Sequence, residues 1–255
     1  MDECGPVINP KNFIEYYKRR KGLKKIDVGD ILVVSPISDL IKKIIKKFNA
    51  VPLKEWMYSP DSRGGLYKAK IDNKNISLMS IGIGCGEVAI IEEILVLDIK
   101  HVIFMGLAGG LGVDIGDIVI PYGAICEEGL AKHYIPFGIP VEVSKENIEN
   151  MAKACKELEI QPHIGRVWTL SAPYREHRWK LKEYYEKWDC KAVEMEVGAV
   201  YALTKYYNTP SIAILGISDI VYPEQKFGFH VEKYKRTYMK IPDIIEKYIH
   251  KITLD

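Results

Sequence analysis

Three runs of the chain are apolar throughout their interior: residues 30–35 (DILVVS), 101–105 (HVIFM) and 211–217 (SIAILGI). A strand with one wet face alternates apolar and polar residues. A strand that stays apolar at every position must be covered on both faces. Between these runs lie stretches with helical spacing. In residues 39–48 the apolar positions are Leu40, Ile41, Ile44, Ile45 and Phe48, and residues 145–158 form a second amphipathic segment. Alternating covered strands and helices define an α/β fold of three layers, with a mostly parallel mixed central sheet between helices. No linker divides the 255 residues, so they read as one domain, 1–255, with residues 1–28 as a helix-like, lysine-rich N-terminal extension packed on it.

The remaining elements follow from the same signals. Residues 66–83 read as two strands around the turn DNKN, 87–97 as a helix and 164–170 as a strand. Residues 106–116 read as a glycine-rich connection into a strand at 117–121, and 127–140 as a long loop. Residues 180–187 form a short charged helix, 193–207 an apolar helix, 222–229 a loop and 234–252 the last helix.

Charge and cysteine usage exclude several function classes. Thirty-six basic residues against thirty-four acidic ones leave a formal charge of +2, without the basic excess of a nucleic-acid binder. No apolar run is long enough to cross a membrane, and the N-terminal MDECGPVINP lacks the apolar segment of a secretory signal. The five cysteines (Cys4, Cys85, Cys126, Cys155, Cys190) are scattered and form no CxxC pair. A reduced, cytoplasmic setting is expected. The six histidines show no HExxH or HxH spacing, so no protein-ligated metal is expected.

Ligands of such sheets bind beyond the carboxyl ends of the strands. Three segments place unusual residues there. SIGIGCGE carries Gly82, Gly84 and Gly86, but the third glycine of a dinucleotide fingerprint would fall on Glu87, so a nicotinamide cofactor is disfavoured. The glycines fit either a tight turn or a ligand lining. FMGLAGGLGVDIGDIVIP offers bare backbone at Gly106, Gly109 and Gly110. AVEMEVGAVYALTKYYNTPSIAILGISD places Glu194 and Glu196 at the head of the apolar helix, about 200° apart by helical geometry, and Asp219 at the end of the last apolar strand. For the two glutamates the structural alternative is stabilisation by the helix macrodipole, and for Asp219 it is a helix cap.

Taken together these segments resemble the purine and uridine phosphorylase family, which includes the methylthioadenosine/adenosylhomocysteine nucleosidases. IGIGCGEVAIIEEI, GLAGGLGVDIGDIVIP and the segment from Ala192 to Asp219 match in order and spacing, while GRVWTLSAPYRE and EEGLAKHYIPF are similar to the uridine-phosphorylase-like branch. The resemblance runs from about residue 30 to the last helix. It implies a nucleoside substrate whose N-glycosidic bond is cleaved, with phosphate as a possible co-substrate and no other cofactor. Met195 and Glu196 would grip the ribose, with Glu194 beside them. Asp219 would protonate or hydrogen-bond the leaving base, and Gly109, Tyr174 and Arg175 would lie along it. A homo-oligomer, dimer or hexamer, is also implied.

The phosphate half of the pattern departs from the family. Pro36 and Leu40 stand at the family's glycine and arginine after the first strand, Phe104 at the arginine of a later strand, Leu107 at its hydroxyl residue, and Met57 near the arginine lent by a neighbouring subunit. Ser171 stands where an acid is common. The nucleosidases' water-activating glutamate aligns with Leu40, and Asp39 is adjacent. Arg63, Arg166, Arg175 and Arg178 are the candidates for a rebuilt anion site. Three readings remain: a phosphorylase with a rearranged phosphate site, a nucleosidase using water, and a catalytically weak nucleoside- or base-binding protein. Purine and pyrimidine bases both remain open.

Overall fold

A computed structural model of the chain describes residues 6–136 and 138–254. Cys4 and the Phe137 of HYIPF lie outside the described residues, as do the first five positions of the N-terminal extension. The elements in order are α1 (Pro10–Lys21), β1 (Ile31–Ser35), α2 (Ser38–Lys47), β2 (Val51–Pro52), β3 (Leu66–Ile71), β4 (Lys74–Ser80), α3 (Cys85–Val88), α4 (Glu92–Leu95), β5 (His101–Leu111) and β6 (Ile118–Glu127). They continue with β7 (Val141–Glu142), α5 (Lys145–Lys156), β8 (His163–Leu170), α6 (Arg178–Trp188), β9 (Cys190–Glu194), α7 (Val197–Tyr206), β10 (Ser211–Tyr222), β11 (Lys226–Phe227) and α8 (Glu232–Lys251).

The apolar runs are covered on both faces. In β1, Leu32 and Val34 join Ile14, Ile91, Ile94, Val200 and Leu203 on the side of α1, α4 and α7. Ile31 and Val33 join Leu40, Ile44, Met151, Ile241 and Ile245 on the side of α2, α5 and α8. Successive residues of a strand point to opposite faces, so Ile31, Leu32, Val33 and Val34 must all be apolar to fill both layers. All five of its residues are buried.

The sheet is mixed. Strands β4, β1, β5 and β10 lie in order with parallel pairing, and β6, β8 and β9 form a second parallel set. The sets meet antiparallel twice, at β10–β6 and at β5–β9. The strands β5, β10, β6, β8 and β9 thereby close on themselves, and β1, β4, β3 and β2 extend from β5.

Four local expectations are corrected. The glycine-rich 106–111 is not a connection but the second half of β5. It runs between two strands, and a Cβ on Gly109 would approach Val221 to 2.8 Å, while one on Gly110 would approach Ile217 to 3.0 Å. These glycines serve close strand packing. The helix expected at 193–207 begins only at Val197, because Val193 and Glu194 end a strand, β9, whose pairing with β8 and β5 outweighs their helical propensity. The helix expected at 87–97 is divided into α3, a 3₁₀ turn at Ala89–Ile91 and α4. The last strand continues to Tyr222, so Asp219 lies within β10 rather than at its end.

Candidate functional site

The closed part of the sheet brings the singled-out residues to one place. Gly109 pairs with Val193 of β9 on one side and with Asp219 of β10 on the other. Glu194 and Glu196 are therefore one strand away from Gly109 in one direction, and Asp219 is one strand away in the other. A register shift between Ile217 and Asp219 leaves Ser218 as an extra residue in β10. Such a bulge re-aims the side chains that follow it. Buried Ser218 donates its hydroxyl hydrogen bond to Asp219 Oδ1 at 2.7 Å.

The two glutamates do not share a helix, so the expected angular separation does not describe them. Glu194 ends β9. Glu196 stands at the N-cap of α7 with φ −135° and ψ −36°, outside the helix. Glu194 Oε2 accepts the N–H groups of Glu196 (2.6 Å) and Val197 (2.7 Å), and its Oε1 accepts the Thr169 hydroxyl. Thr169 Oγ1 in turn accepts the Gly198 N–H at 2.8 Å. The first turn of α7 thus has its otherwise unpaired donors held by a carboxylate and a hydroxyl, the arrangement favoured at a helix N-terminus. Both oxygens of Glu194 are engaged by protein donors.

Glu196 is differently placed. Its Oε1 accepts the N–H of Gly84 at 2.5 Å, which ties the head of α7 to the loop after β4. Gly84 has φ +100° and ψ 155°, a conformation open essentially to glycine alone, and no atom lies near its missing side chain. We expect Gly84→Ala to re-aim this N–H at a cost of about 1–3 kcal/mol. Turnover per bound substrate should drop about tenfold while the far-ultraviolet spectrum stays native. Unchanged kinetics would show that the Gly84 contact does not set the position of Glu196.

Among the other candidates, Met195 is half-buried beside this carboxylate. Tyr174 is 93% exposed on the turn after β8, and Arg175 is exposed with its guanidinium on the Tyr174 carbonyl. Sequence reasoning passed over Glu176, the next residue. In the run 171–179 it alone turns inward. Burial, with Asp219 nearby, pushes its carboxyl up to about 7. Burial also raises Asp219, against the Ser218 hydrogen bond, and raises Glu194 and Glu196, which stand close to one another.

These shifts have one sign. A raised carboxyl binds more protons folded than unfolded over the interval from about 4.5 to about 7. Stability therefore falls as pH rises through that interval. The urea midpoint should be higher at pH 5 than at pH 8, and Glu196→Gln should flatten the slope. A midpoint that rises from pH 5 to pH 8 would contradict this account of the site.

The candidate cations separate. Arg166 pairs with Glu142 and lies over the Tyr122 ring near the start of β8, away from these acids. Arg63 pairs with Glu87 at 3.1 Å, and Glu87 in turn accepts the Gly82 N–H at 3.2 Å, so Arg63 is tethered to the loop that holds Glu196. It is 73% exposed. Arg178 is exposed at the start of α6. Leu40 is core, and Asp39 points to the surface, paired with Lys43 and accepting the Tyr238 hydroxyl. The α2 N-terminus follows β1 directly. Ser38 and Ser80 place their hydroxyl oxygens 3.4 Å apart there. A hollow of about 760 Å³ lies elsewhere, at the starts of β5 and β10, and none of the site acids line it. Among the described residues no cluster of three His, Cys, Asp or Glu is placed to hold a metal, and no helix is long and apolar enough to cross a membrane.

Comparison with known proteins decides the family. The family model described as "Phosphorylase superfamily" matches residues 30–250. The chain belongs to that superfamily. A DeoD-type purine nucleoside phosphorylase of Streptococcus pneumoniae serotype 19F is 29% identical over 165 residues, covering 62% of this chain and 70% of its own. Purine nucleoside phosphorylase from Toxoplasma gondii, solved with immucillin-H, superposes with a TM-score of 0.76 at 23% identity over 89% of this chain and 92% of its own. The 5′-methylthioadenosine/S-adenosyl homocysteine nucleosidase of Campylobacter jejuni superposes with a TM-score of 0.72 at 17% identity over 88% of this chain and 100% of its own. Membership makes this superfamily chain an enzyme of the phosphorylase and nucleosidase group, with the α/β fold that the resemblance implied.

Proposed function

We propose that the chain, acting as one domain, cleaves the N-glycosidic bond of a nucleoside by phosphorolysis. The observation that carries this reading is the register that sets Val193 and Asp219 on either side of Gly109, with Glu196 three residues beyond Val193 at the head of α7. Glu196, with one oxygen held by Gly84, offers the other to the ribose hydroxyls, and Met195 packs beside the sugar. A carboxylate accepting from vicinal hydroxyls fixes the sugar for attack at C1′. As the C1′–N bond breaks, its electron pair passes to the base, and Asp219 supplies a proton or hydrogen bond to the charge that develops there. An oxygen of phosphate bonds to C1′, giving a sugar 1-phosphate and the free base. Glu194 acts as a positioning residue through the α7 N-terminus. Gly109, Tyr174 and Arg175 lie along the base.

Two observations favour phosphate over water. Leu40 and the outward Asp39 leave no carboxylate where the nucleosidase pattern would put its base. The α2 N-terminus, with Ser38 and Ser80 beside it, retains an anion-favouring end, and Arg63 is a cation tethered through Glu87 to the loop that holds Glu196. Hydrolysis is the second reading, favoured by the exposure of Arg63 and its engagement with Glu87. A nucleoside panel assayed with and without phosphate separates the two. Phosphorolysis predicts base release only with phosphate, and free ribose in phosphate-free buffer would establish the hydrolase. Ile83, Tyr174 and Phe227, exposed apolar side chains on site segments, suit a homo-oligomer whose second subunit covers them.

A further inference from the structure

Phe227 stands on an anchored backbone, yet its ring is largely uncovered. β11 pairs antiparallel with β10 through two residues, Phe227 with Asp219 and Lys226 with Ile220. Gly228 follows, with no room for a side chain: a Cβ there would come within 2.5 Å of Ile115 Cγ2 and 2.6 Å of the Ser218 carbonyl oxygen. The segment is thus pressed onto the bulge of β10. Phe229 meets the Tyr234 ring edge-on, with centroids 5.8 Å apart. Among the described residues no ring pairs with Phe227 in this way, and it is 65% exposed.

Directly opposed residues of an antiparallel pair carry their side chains on one face of the sheet, with Cβ atoms about 4.5–5.5 Å apart. Phe227 therefore stands beside Asp219 on the same face, and Lys226 beside Ile220 on the other. The row continues inward. Asp219 is level with Gly109, and Gly109 with Val193. A Cβ on Gly109 would lie 2.8 Å from Val221 Cγ1 and 3.4 Å from Val193 Cγ1, so both valines flank the bare backbone on this face. Val193, Gly109, Val221, Asp219 and Phe227 form one strip across β9, β5, β10 and β11. It is apolar except for a single carboxyl, and it ends in an aromatic ring. A flat ligand with apolar faces and a polar edge matches that strip.

We infer that Phe227 is a base-contacting residue: its ring stacks on the nucleobase whose edge meets Asp219, and it closes the outer side of the base pocket. The assignment rests on the nucleoside reading above and adds a residue that no sequence motif singled out. A ring has two faces, so the base takes one and leaves the other to the second subunit proposed above. Stacking forms before the glycosidic bond breaks and persists while it breaks. It therefore holds ground state and transition state alike, and its loss shows in KM rather than in kcat.

The test compares wild type with Phe227→Ala, Phe227→Leu and Phe227→Tyr. One arm is steady-state kinetics on adenosine, inosine and uridine in saturating phosphate. The other is calorimetric binding of free adenine, hypoxanthine and uracil. Phe227→Ala should raise KM for the best nucleoside, and Kd for its base, by about 5- to 150-fold, the range of one base–aromatic stack. Its kcat should stay within about threefold of wild type, and its melt should stay native because the side chain is largely exposed. Phe227→Tyr should bind as wild type does, and Phe227→Leu should not. Affinities that move less than about threefold in Phe227→Ala, or that are as good in Phe227→Leu as in Phe227→Tyr, overturn the inference and leave nucleoside cleavage standing. A loss of affinity that comes with a smaller assembly on light scattering assigns the ring to a subunit contact and overturns it too. If wild type cleaves no nucleoside, the calorimetric arm decides. Base binding that needs an aromatic residue at this position supports the inference, and a wild type that binds no base removes both the inference and the proposed function.

Discussion

Asp219→Asn should lower kcat by about 10²–10⁴-fold, the range that a positioned general acid contributes. The substitution keeps the size and planarity of the side chain. The Ser218 hydroxyl can still donate to the oxygen at this position, so the bulge that aims the side chain is kept. What disappears is the acid proton and the negative charge left when it is given up. Burial raises the Asp219 carboxyl above its ordinary range, so the acid form persists to higher pH than in a surface aspartate. An amide cannot replace it at any pH. KM should change little, because the ribose contacts proposed above come from Glu196 and Met195. The checks are steady-state kinetics on the best nucleoside of the panel and a thermal melt. A kcat within threefold of wild type, with a native melt, would remove Asp219 from the chemistry and with it the reading of the β10 bulge as a functional device.

The layers were legible because burial on both faces leaves a direct trace in composition. Runs such as Ile31–Val34 have to be apolar throughout, and the α2 pattern of Leu40, Ile41 and Ile44 has one apolar stripe. The glycines of β5 were less legible. Glycine signals a turn when the backbone needs positive φ, but Gly109 is there because Val193 of β9 and Val221 of β10 crowd the place of its side chain, a demand set by residues more than eighty positions away, and Gly110 is crowded by Ile217 of β10 together with nearby Val113. The same long-range pairing turned the first residues of the helix expected at 193–207 into the end of strand β9.

The site divided along the same line. Glu196 and Asp219 stood out as acids in apolar surroundings, which is a local signal. Their convergence depends on the closing of β5, β9 and β10, which is not. Thr169 and Glu176 carried no local signal at all. A threonine in a strand and a glutamate in a loop are ordinary until the α7 N-terminus and Asp219 are set against them. Arg166, one candidate for the anion site, belongs to a surface pair with Glu142, and only the third dimension separates it from Arg63.

Glu194→Ala should destabilise the fold by about 3 kcal/mol, because it strands the Thr169 hydroxyl and the N–H groups of Glu196 and Val197 in a buried place, each at about 1–3 kcal/mol when wholly unpaired. The sum is reduced because a carboxyl raised by burial is itself costly to keep, and its removal returns part of that cost. In a chain of this length about 3 kcal/mol corresponds to a melting temperature lower by about 6–12 °C. Glu194→Gln keeps an acceptor for the two N–H groups, and the Thr169 hydroxyl can rotate to accept from the new amide, so it should cost about 1 kcal/mol. Urea midpoints should therefore order wild type, Gln, Ala from most to least stable. Activity should follow a different order from stability. Glu194→Gln leaves the fold almost intact but loosens the charge-assisted hold on the Glu196 backbone, so kcat/KM falls while the melt barely moves. If Ala proves as stable as wild type, the α7 N-terminus is satisfied by other donors and acceptors, and Glu194 is free to meet the ribose directly. If Gln abolishes turnover outright with no change in stability, the negative charge of Glu194 belongs to the chemistry rather than to the scaffold that positions Glu196.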